Sequence, residues 1–316
     1  LPGLIATPHN GRSIYYLKPF NKNLKKTQMI FQDKLDERTR LFRPEFNQLL
    51  DTAWKNQAHI GDLLLFHING FFQENILNYN SRSEKKYDPH TIGPGLEGFS
   101  ENTHYNFIHK YRTTSISDKP HKEYLEQFKW TPERKKQIDE LEEIEGTTIQ
   151  IEMLIYLKLW EADLFIKKLY QFVRCLYGEP YDWHFKVSES SRDNNCTGTR
   201  QELIRNQISK RINKFSPTLH TVIKDTYKTQ IRNSIAHSNY SFIGRTIHLN
   251  NYVKEDPYSQ IGSISFDEWI DIFHNTIILH NEYLRMNNLI NEMYAKLASE
   301  HENTMEIQIT ESNGNQ

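Results

Sequence analysis

The stretch that most constrains the fold is residues 147–178. Ile149, Ile151, Met153, Leu154, Ile155, Leu157, Leu159, Trp160, Leu164, Phe165, Ile166, Leu169, Phe172, Val173 and Leu176 put apolar side chains on nearly every side of a helix. Such a helix is stable only when other elements surround it, so the rest of the chain has to be layered around this one. Lys158, Glu161, Asp163, Lys167 and Lys168 interrupt the run, which rules out a membrane span. Gly178 ends the helix and Pro180 prevents its resumption. The fold class that follows is mainly α.

A second stretch, 216–240, carries the polar residues of most interest. Ser216 fits an N-cap, because its hydroxyl can accept from a first-turn amide that lacks a helical partner. Pro217 follows, where a missing N–H costs nothing. Leu219, Val222, Ile223, Tyr227, Ile231 and Ile235 recur at steps of three and four, which predicts one helix with one apolar stripe. Arg232 and His237 lie off that stripe. At about 100° per residue they stand about 140° apart around a straight helix, on opposite sides of the stripe. A site on one face is therefore closed to them unless the helix loosens near Ala236, the pair lines a groove shared with another surface, or the arginine reaches around.

Arg232-Asn233-Ser234-Ile235-Ala236-His237 resembles the Arg-x4–6-His signature of the HEPN family, the higher eukaryotes and prokaryotes nucleotide-binding domains. Asn233 fits the polar residue that follows the arginine there. The setting resembles the family too: the motif ends a helix, a short extended region follows at 241–265, and a long helix closes the domain. The resemblance implies an HEPN-like helical bundle with a short β-hairpin after the motif helix. It also implies a homodimer and a metal-independent ribonuclease without a cofactor. Many members serve as toxins or anti-phage effectors. Others do not cut, so the resemblance also admits a non-catalytic module that binds RNA, nucleotide or a regulatory protein through the same groove.

Metal-free cleavage of RNA uses the 2′-hydroxyl beside the scissile phosphate as nucleophile. One group takes its proton, another protonates the departing 5′-oxygen, and fixed positive charge stabilises the phosphorane. His237, with an ordinary pKa of about 6.5, suits either proton role. Arg232 suits the phosphate clamp, being planar, permanently charged and bidentate. One chain supplies one motif histidine, whereas the reaction uses two proton carriers. A two-fold dimer that brings two motif helices together is therefore the expected site.

Four residues are candidates for support. Asn233, one turn before His237, would orient its ring or bind phosphate. Tyr240 would contact a base or phosphate, although the relatives that carry such a tyrosine place it two residues after the histidine rather than three. Glu161 or Asp163 would hold Arg232; the plainer alternative for either is a salt bridge to Lys158 or Lys167 on its own helix. For Arg232 and His237 the plainer alternative is a helix-end pair, since positive charge near a helix C-terminus is stabilising.

The 39 lysines and arginines of the 316-residue chain face 40 aspartates and glutamates, so attraction to nucleic acid has to come from a local patch. One local excess stands beside the motif. A helix at 200–214 carries Arg200, Arg205, Lys210, Arg211 and Lys214, and Lys224 and Lys228 continue it, against Glu202 and Asp225 alone. Arg205, Lys210, Arg211, Lys224 and Lys228 are the candidate RNA-binding residues. The alternative is that this surface pairs with the acidic run at 139–145, which is simplest as a solvated helix face. Two cysteines, Cys175 and Cys196, argue against a disulfide scaffold and fit a reducing cytosol. No stretch reads as a membrane span or a signal peptide, so a cytoplasmic location is expected, with the sequons at Asn195 and Asn239 coincidental.

The chain is expected to divide into an N-terminal accessory region at 1–117, the HEPN-like helical domain at 118–300 and a polar tail at 301–316. In the first, residues 14–17 fit a short strand or arm. A helix is expected from Pro44, carrying Phe46, Leu49, Leu50 and Trp54, and a second over about 60–79. Residues 81–117 read as loop. Within them Gly93-Pro94-Gly95-Leu96-Glu97-Gly98 matches Gly-x-Gly-x-x-Gly; with no strand expected before it and no helix after, it reads as a turn-rich linker. His90, His104, His109 and His121 lack the spacing and the company of a metal site. The accessory region is the candidate for sensing or autoinhibition, and the resemblance also admits an antitoxin or regulatory protein as partner. Strands are expected at 241–243, 246–250 and 261–265, and Ser265-Phe266-Asp267-Glu268 is a capping box that opens a helix to 299.

Overall fold

The computed structural model describes residues 28–73, 89–188, 193, 195–254 and 260–300, together with the backbone of 5–9 and 12–16. The fold is mainly helical. A hairpin of β1 (Ile5–His9) and β2 (Arg12–Tyr16) comes first. Then follow β3 (Ile30–Phe31), α1 (Gln32–Asn56), α2 (Asp62–Ile68), β4 (Gly70–Phe72), β5 (His90–Ile92), α3 (Gly95–Ser115), β6 (Ile116–Ser117) and α4 (His121–Leu125). The apolar run forms α5 (Lys135–Trp160) and α6 (Asp163–Leu176). A further helical run consists of α7 (Arg200–Glu202), a π-helical segment Leu203–Ser209 and α8 (Lys210–Ile212). The motif region forms α9 (Pro217–Thr226) and α10 (Thr229–Ala236). β7 (Tyr240–Phe242), β8 (Thr246–Leu249) and β9 (Ser263–Ser265) make an antiparallel sheet in that order, and α11 (Phe266–Ser299) closes the chain.

The apolar run is central, but in two helices rather than one. Ala162, in extended conformation at φ −74° and ψ 109°, separates α5 from α6. Ile149, Ile155, Tyr156 and Trp160 of α5 and Ile166, Phe172 and Val173 of α6 are buried with Trp269, Phe273 and Ile277 of α11. Each such side chain contributes about 1.5–3 kcal/mol by leaving water. α1 packs on α6 and α11, and β3 pairs in parallel with β6. Phe31, Leu49 and Phe66 thus enter the same apolar interior as the central helices, so residues on both sides of position 117 share one core.

Several elements differ from the reading of the sequence. α1 begins at Gln32 and runs through Pro44, because Leu35, Phe42, Phe46, Leu49 and Leu50 lie on one buried stripe whose packing outweighs the lost backbone hydrogen bond. α2 stops at Ile68, where Asn69 turns left-handed at φ 57°. Residues 95–115 form α3 rather than a loop; few of its residues are deeply buried, Ile108 and Tyr111 among them, so its stripe is faint in the sequence. The Gly-x-Gly-x-x-Gly match therefore does have a strand before it and a helix after it. It still lacks a dinucleotide site's scaffold, since β5, the strand that leads into it, pairs antiparallel with β4 rather than in a parallel sheet. Gly98 is explained by packing: a Cβ there would stand 2.6 Å from Cβ of Pro94.

Two glutamates of α5 are fully buried. Glu152 accepts from the Tyr111 hydroxyl at 3.1 Å and from Nε1 of Trp269 at 2.9 Å, and with no cation on it among the described residues burial pushes its pKa up to about 8. Glu145 accepts two bonds of 2.8 Å from Arg245. This corrects the reading of 139–145 as a solvated face, because its last residue is an interior ion-pair partner. The capping box is formed: the Ser265 amide donates to Oε2 of Glu268 at 2.7 Å, and the Glu268 amide donates to Oγ of Ser265 at 3.2 Å. No helix among the described residues is long and apolar enough to cross a membrane.

Candidate functional site

The motif sits on a broken helix. Ser216 caps α9 by accepting from the Leu219 amide at 3.1 Å, with Pro217 in the first turn, as its sequence requires. Leu219, Ile223, Tyr227, Ile231 and Ile235 are buried and Val222 is half-buried against them, so the stripe holds except at its edge. The single helix does not. Tyr227 and Lys228 are extended, at φ −90°, ψ 102° and φ −119°, ψ 119°. Thr226, Tyr227 and Thr229 are weak helix formers, and the Thr226 carbonyl freed by the break accepts from the Tyr156 hydroxyl at 3.0 Å. α10 is thus a separate short helix that starts at the far edge of Tyr227.

Arg232 is held at the junction of α5 and α6. Its Nε and Nη2 donate to the two oxygens of Glu161, the second at 2.9 Å, and Nη1 donates to Oδ1 of Asn233 at 2.6 Å. Hydrogen bonding to Glu161 raises the arginine pKa further above its ordinary value. Of the two acids that would hold Arg232, Glu161 does so, and Asp163 instead accepts from Arg200 at 2.5 Å. Arg200 also lies 3.1 Å from Glu161, so two arginines and two carboxylates form one chain of charges. The own-helix alternative is not what is seen: Lys158 lies over the Phe107 ring, and Lys167 is buried on Oδ1 of Asn69 and the Gly70 carbonyl. The Glu161 side chain remains 32% exposed, which leaves the pair within reach of a solute.

His237 caps the C-terminus of α10. Its amide donates to the Asn233 carbonyl at 3.0 Å, and its ring is exposed with no partner among the described residues. Ser238 follows in left-handed conformation at φ 54°, the position where a helix usually takes glycine, and the Asn239 amide returns to the Ser234 carbonyl at 2.8 Å. The buried Ser234 hydroxyl donates to the Asn239 carbonyl, which pins this turn. Asn233 is engaged by side chain with Arg232 and only by backbone with His237, so the expected orientation of the ring by its carboxamide is absent. Tyr240 packs against Phe242 in β7, half-buried, and burial raises its pKa. Within one chain, then, Arg232 is fixed and His237 is free, and no contact joins them.

Beside the motif helix lies a cleft of about 660 Å³ between the π-helical segment and α9. Ile204 and Ile223 form its apolar lining, with Ser209, Asn213, His220 and Tyr227. Four of the five candidate RNA-binding residues line it: Arg205, Lys210, Lys224 and Lys228. None of the four forms a salt bridge among the described residues, with the acidic run at 139–145 or elsewhere; the Ser265 hydrogen bonds hold the Glu268 pKa down, and Lys228 is near enough to help, without contact. Arg211 is not part of the cleft. It pairs with Glu179 and stacks on Tyr177 at 4.2 Å, so its charge is taken up. The π-helical insertion widens the turn around Arg205, a distortion that recurs at functional sites.

Two residues of this region escaped the reading of the sequence. Arg200 was only one of a basic set; its pairing with Glu161 and Asp163 depends on a contact 37 positions away for which the sequence carries no signal. His220 sits among the apolar stripe residues of α9 and reads as part of them. Its Nδ1 lies 2.9 Å from the Ser209 carbonyl and 3.1 Å from the Ser209 hydroxyl, a contact made across the turn between two helices. Compared with known proteins, the chain matches no family model, no curated protein and no solved structure.

Proposed function

We propose that this chain is a metal-independent endoribonuclease of the HEPN type, acting as a homodimer in which Arg232 and His237 from two copies surround one scissile phosphate. The observation that supports this most is Arg232 itself. Its guanidinium is aimed by Glu161 and Asn233, one helical turn from Lys228, whose neighbouring cleft holds cations with no acid partner among the described residues. Phosphates of the strand lie on Arg205, Lys210, Lys224 and Lys228. The 2′-oxygen attacks phosphorus in line with the 5′-oxygen. One His237 takes the 2′ proton, and the other protonates the departing 5′-oxygen. Arg232 stabilises the charge that develops on the phosphorane. The products carry a 2′,3′-cyclic phosphate and a 5′-hydroxyl.

A second copy supplies the second histidine. An unpaired apolar strip beside the site gives it a surface to meet: Ile151 and Leu154 are exposed on the face of α5 that continues through Lys158 to Glu161. A role as a toxin or anti-phage effector, checked by an antitoxin or regulatory protein, belongs to the same reading and rests on the motif's resemblance.

One observation favours a second reading, a non-catalytic module that binds RNA. Glu161 and Asn233 take three of the five N–H hydrogens of Arg232, which leaves two for phosphate. The test is RNA incubated in EDTA with wild type, Arg232→Ala and His237→Ala. Cutting by wild type that both variants lose supports the enzyme. Binding without cutting by all three supports the module.

A further inference from the structure

We infer that the cleft between the π-helical segment and α9 is a subsite for one unpaired nucleotide of an RNA strand. This deepens the ribonuclease reading and rests on it only for the identity of the polymer. Three features of the cleft combine. It carries four cations, Arg205, Lys210, Lys224 and Lys228, without partner acids among the described residues, which suits a backbone of consecutive phosphates. Ile204 and Ile223, themselves buried, close it with an apolar floor, against which a base can pack and with which a bare phosphate or an ion has nothing to gain. At about 660 Å³ it has the size of sites that enclose small organic ligands.

His220 supplies the polar specificity. A carbonyl only accepts, so Nδ1 donates to that of Ser209 at 2.9 Å, and Nε2 of the neutral ring is the acceptor that this cleft-lining residue offers. A ribose hydroxyl or an exocyclic amino group of a base is the matching donor. Paired bases are unavailable to such a cleft, because a duplex keeps them stacked inside and offers only its backbone. A splayed single strand offers both phosphate and base. The subsite therefore selects unpaired RNA and fixes its register next to Arg232, which follows Lys228 by one turn.

The test is equilibrium binding of a short fluorescent oligoribonucleotide, single-stranded and as a duplex, to full-length His237→Ala protein, which binds without cutting. Two further changes are made separately in that background: Lys224→Glu with Lys228→Glu, and Asn213→Trp, which fills the cleft without altering charge. Lys135→Glu with Lys136→Glu, at the opposite end of α5 from Glu161, is the charge-matched control, and thermal melting confirms that each variant folds.

The expected result is single-strand binding at least ten-fold tighter than duplex binding. The lysine variants weaken it at least ten-fold and flatten the salt dependence by about 1.4 in log–log slope, for two lost phosphate contacts. Asn213→Trp weakens it about five-fold while keeping the slope, and the control stays within two-fold. Parent protein that does not bind, cleft variants that bind like the parent, or a duplex bound as tightly as the single strand would overturn the subsite. Wild type that cuts while the cleft variants bind unchanged removes the subsite alone. Binding that depends on the cleft in a protein that never cuts removes the nuclease and leaves the subsite standing.

Discussion

Two arginine–glutamate pairs of similar geometry are built on α5, one near its middle and one just past its C-terminus, and they serve different purposes. Near the middle, Glu145 is fully buried, and Arg245 is fastened to it by two hydrogen bonds, to Asp267 by two more at 2.9 and 3.3 Å, and to the face of the Phe128 ring at 4.2 Å. Past its end, Glu161 stands on the helix terminus with a third of its side chain in water, shared between Arg232, which Asn233 also holds, and Arg200 at 3.1 Å. The same chemical pair is a fastening where the carboxylate is sealed in and an exchangeable clamp where it is not. Water can replace Glu161 as a partner at little cost, so phosphate can compete for Arg232. A solute cannot reach Glu145.

The largest effect that would sharpen this contrast is on stability. Arg245→Ala leaves Glu145 without its cation in the core and should cost about 3–5 kcal/mol, read as a large drop in melting temperature or a failure to fold. Arg232→Ala should change stability by less than about 1 kcal/mol, because its partner is partly solvated. Equal losses from the two variants would break the comparison.

The next effect is on activity. Arg232→Ala and His237→Ala should each lower RNA cleavage in EDTA by at least about 100-fold, equivalent to about 2.7 kcal/mol of transition-state stabilisation, with melting temperatures close to wild type. A variant that loses activity only in proportion to its unfolded fraction would contradict a role in the reaction.

A third glutamate of α5, Glu152, extends the comparison to a buried acid with no arginine. The folded protein keeps its proton up to about pH 8, whereas the unfolded chain releases it near 4.5. Between those values the unfolded state binds fewer protons, so stability from this group is present below 4.5 and is lost as pH rises through 8. The slope is at most about 1.4 kcal/mol per pH unit. Glu152→Gln should remove that slope, measured as urea midpoints of wild type and variant at pH 5.5 and pH 8. The smallest effect belongs to Glu161→Gln, which should alter stability by less than about 1 kcal/mol in the same assay. A larger loss there would make the Arg232 pair a fastening like the other.

What the sequence disclosed, and what it did not, follows the range of the forces involved. Local signals were legible. The Ser216–Pro217 start, the Ser265–Glu268 box and the Gly178 stop are each set by neighbours within a few residues, and all three form. The stripe from Leu219 to Ile235 correctly named buried residues, although periodicity is blind to the break at Tyr227–Lys228, which keeps the stripe while ending the helix. Pro44 was misread as a start because a buried stripe can carry a helix through proline. The short list that Glu161 shares with Asp163 was right about the neighbourhood of Arg232. Choosing between them needed the turn at Ala162, which aims one carboxylate at Arg232 and the other at Arg200. The local excess of basic residues pointed to the cleft, yet Arg211 faces Glu179 and His220 faces Ser209. Both contacts cross between helices, where spacing along the chain gives no guide.

The account rests on a phosphate shared by two protomers, each giving one proton carrier. The most direct measurement is the cleavage rate of mixed dimers, made by co-refolding wild type with His237→Ala in varied proportion at constant total protein. A mixed dimer has one histidine where two are needed, so activity should fall as the square of the wild-type fraction. A strictly linear fall would mean that each chain works alone, and the two-protomer site would be wrong.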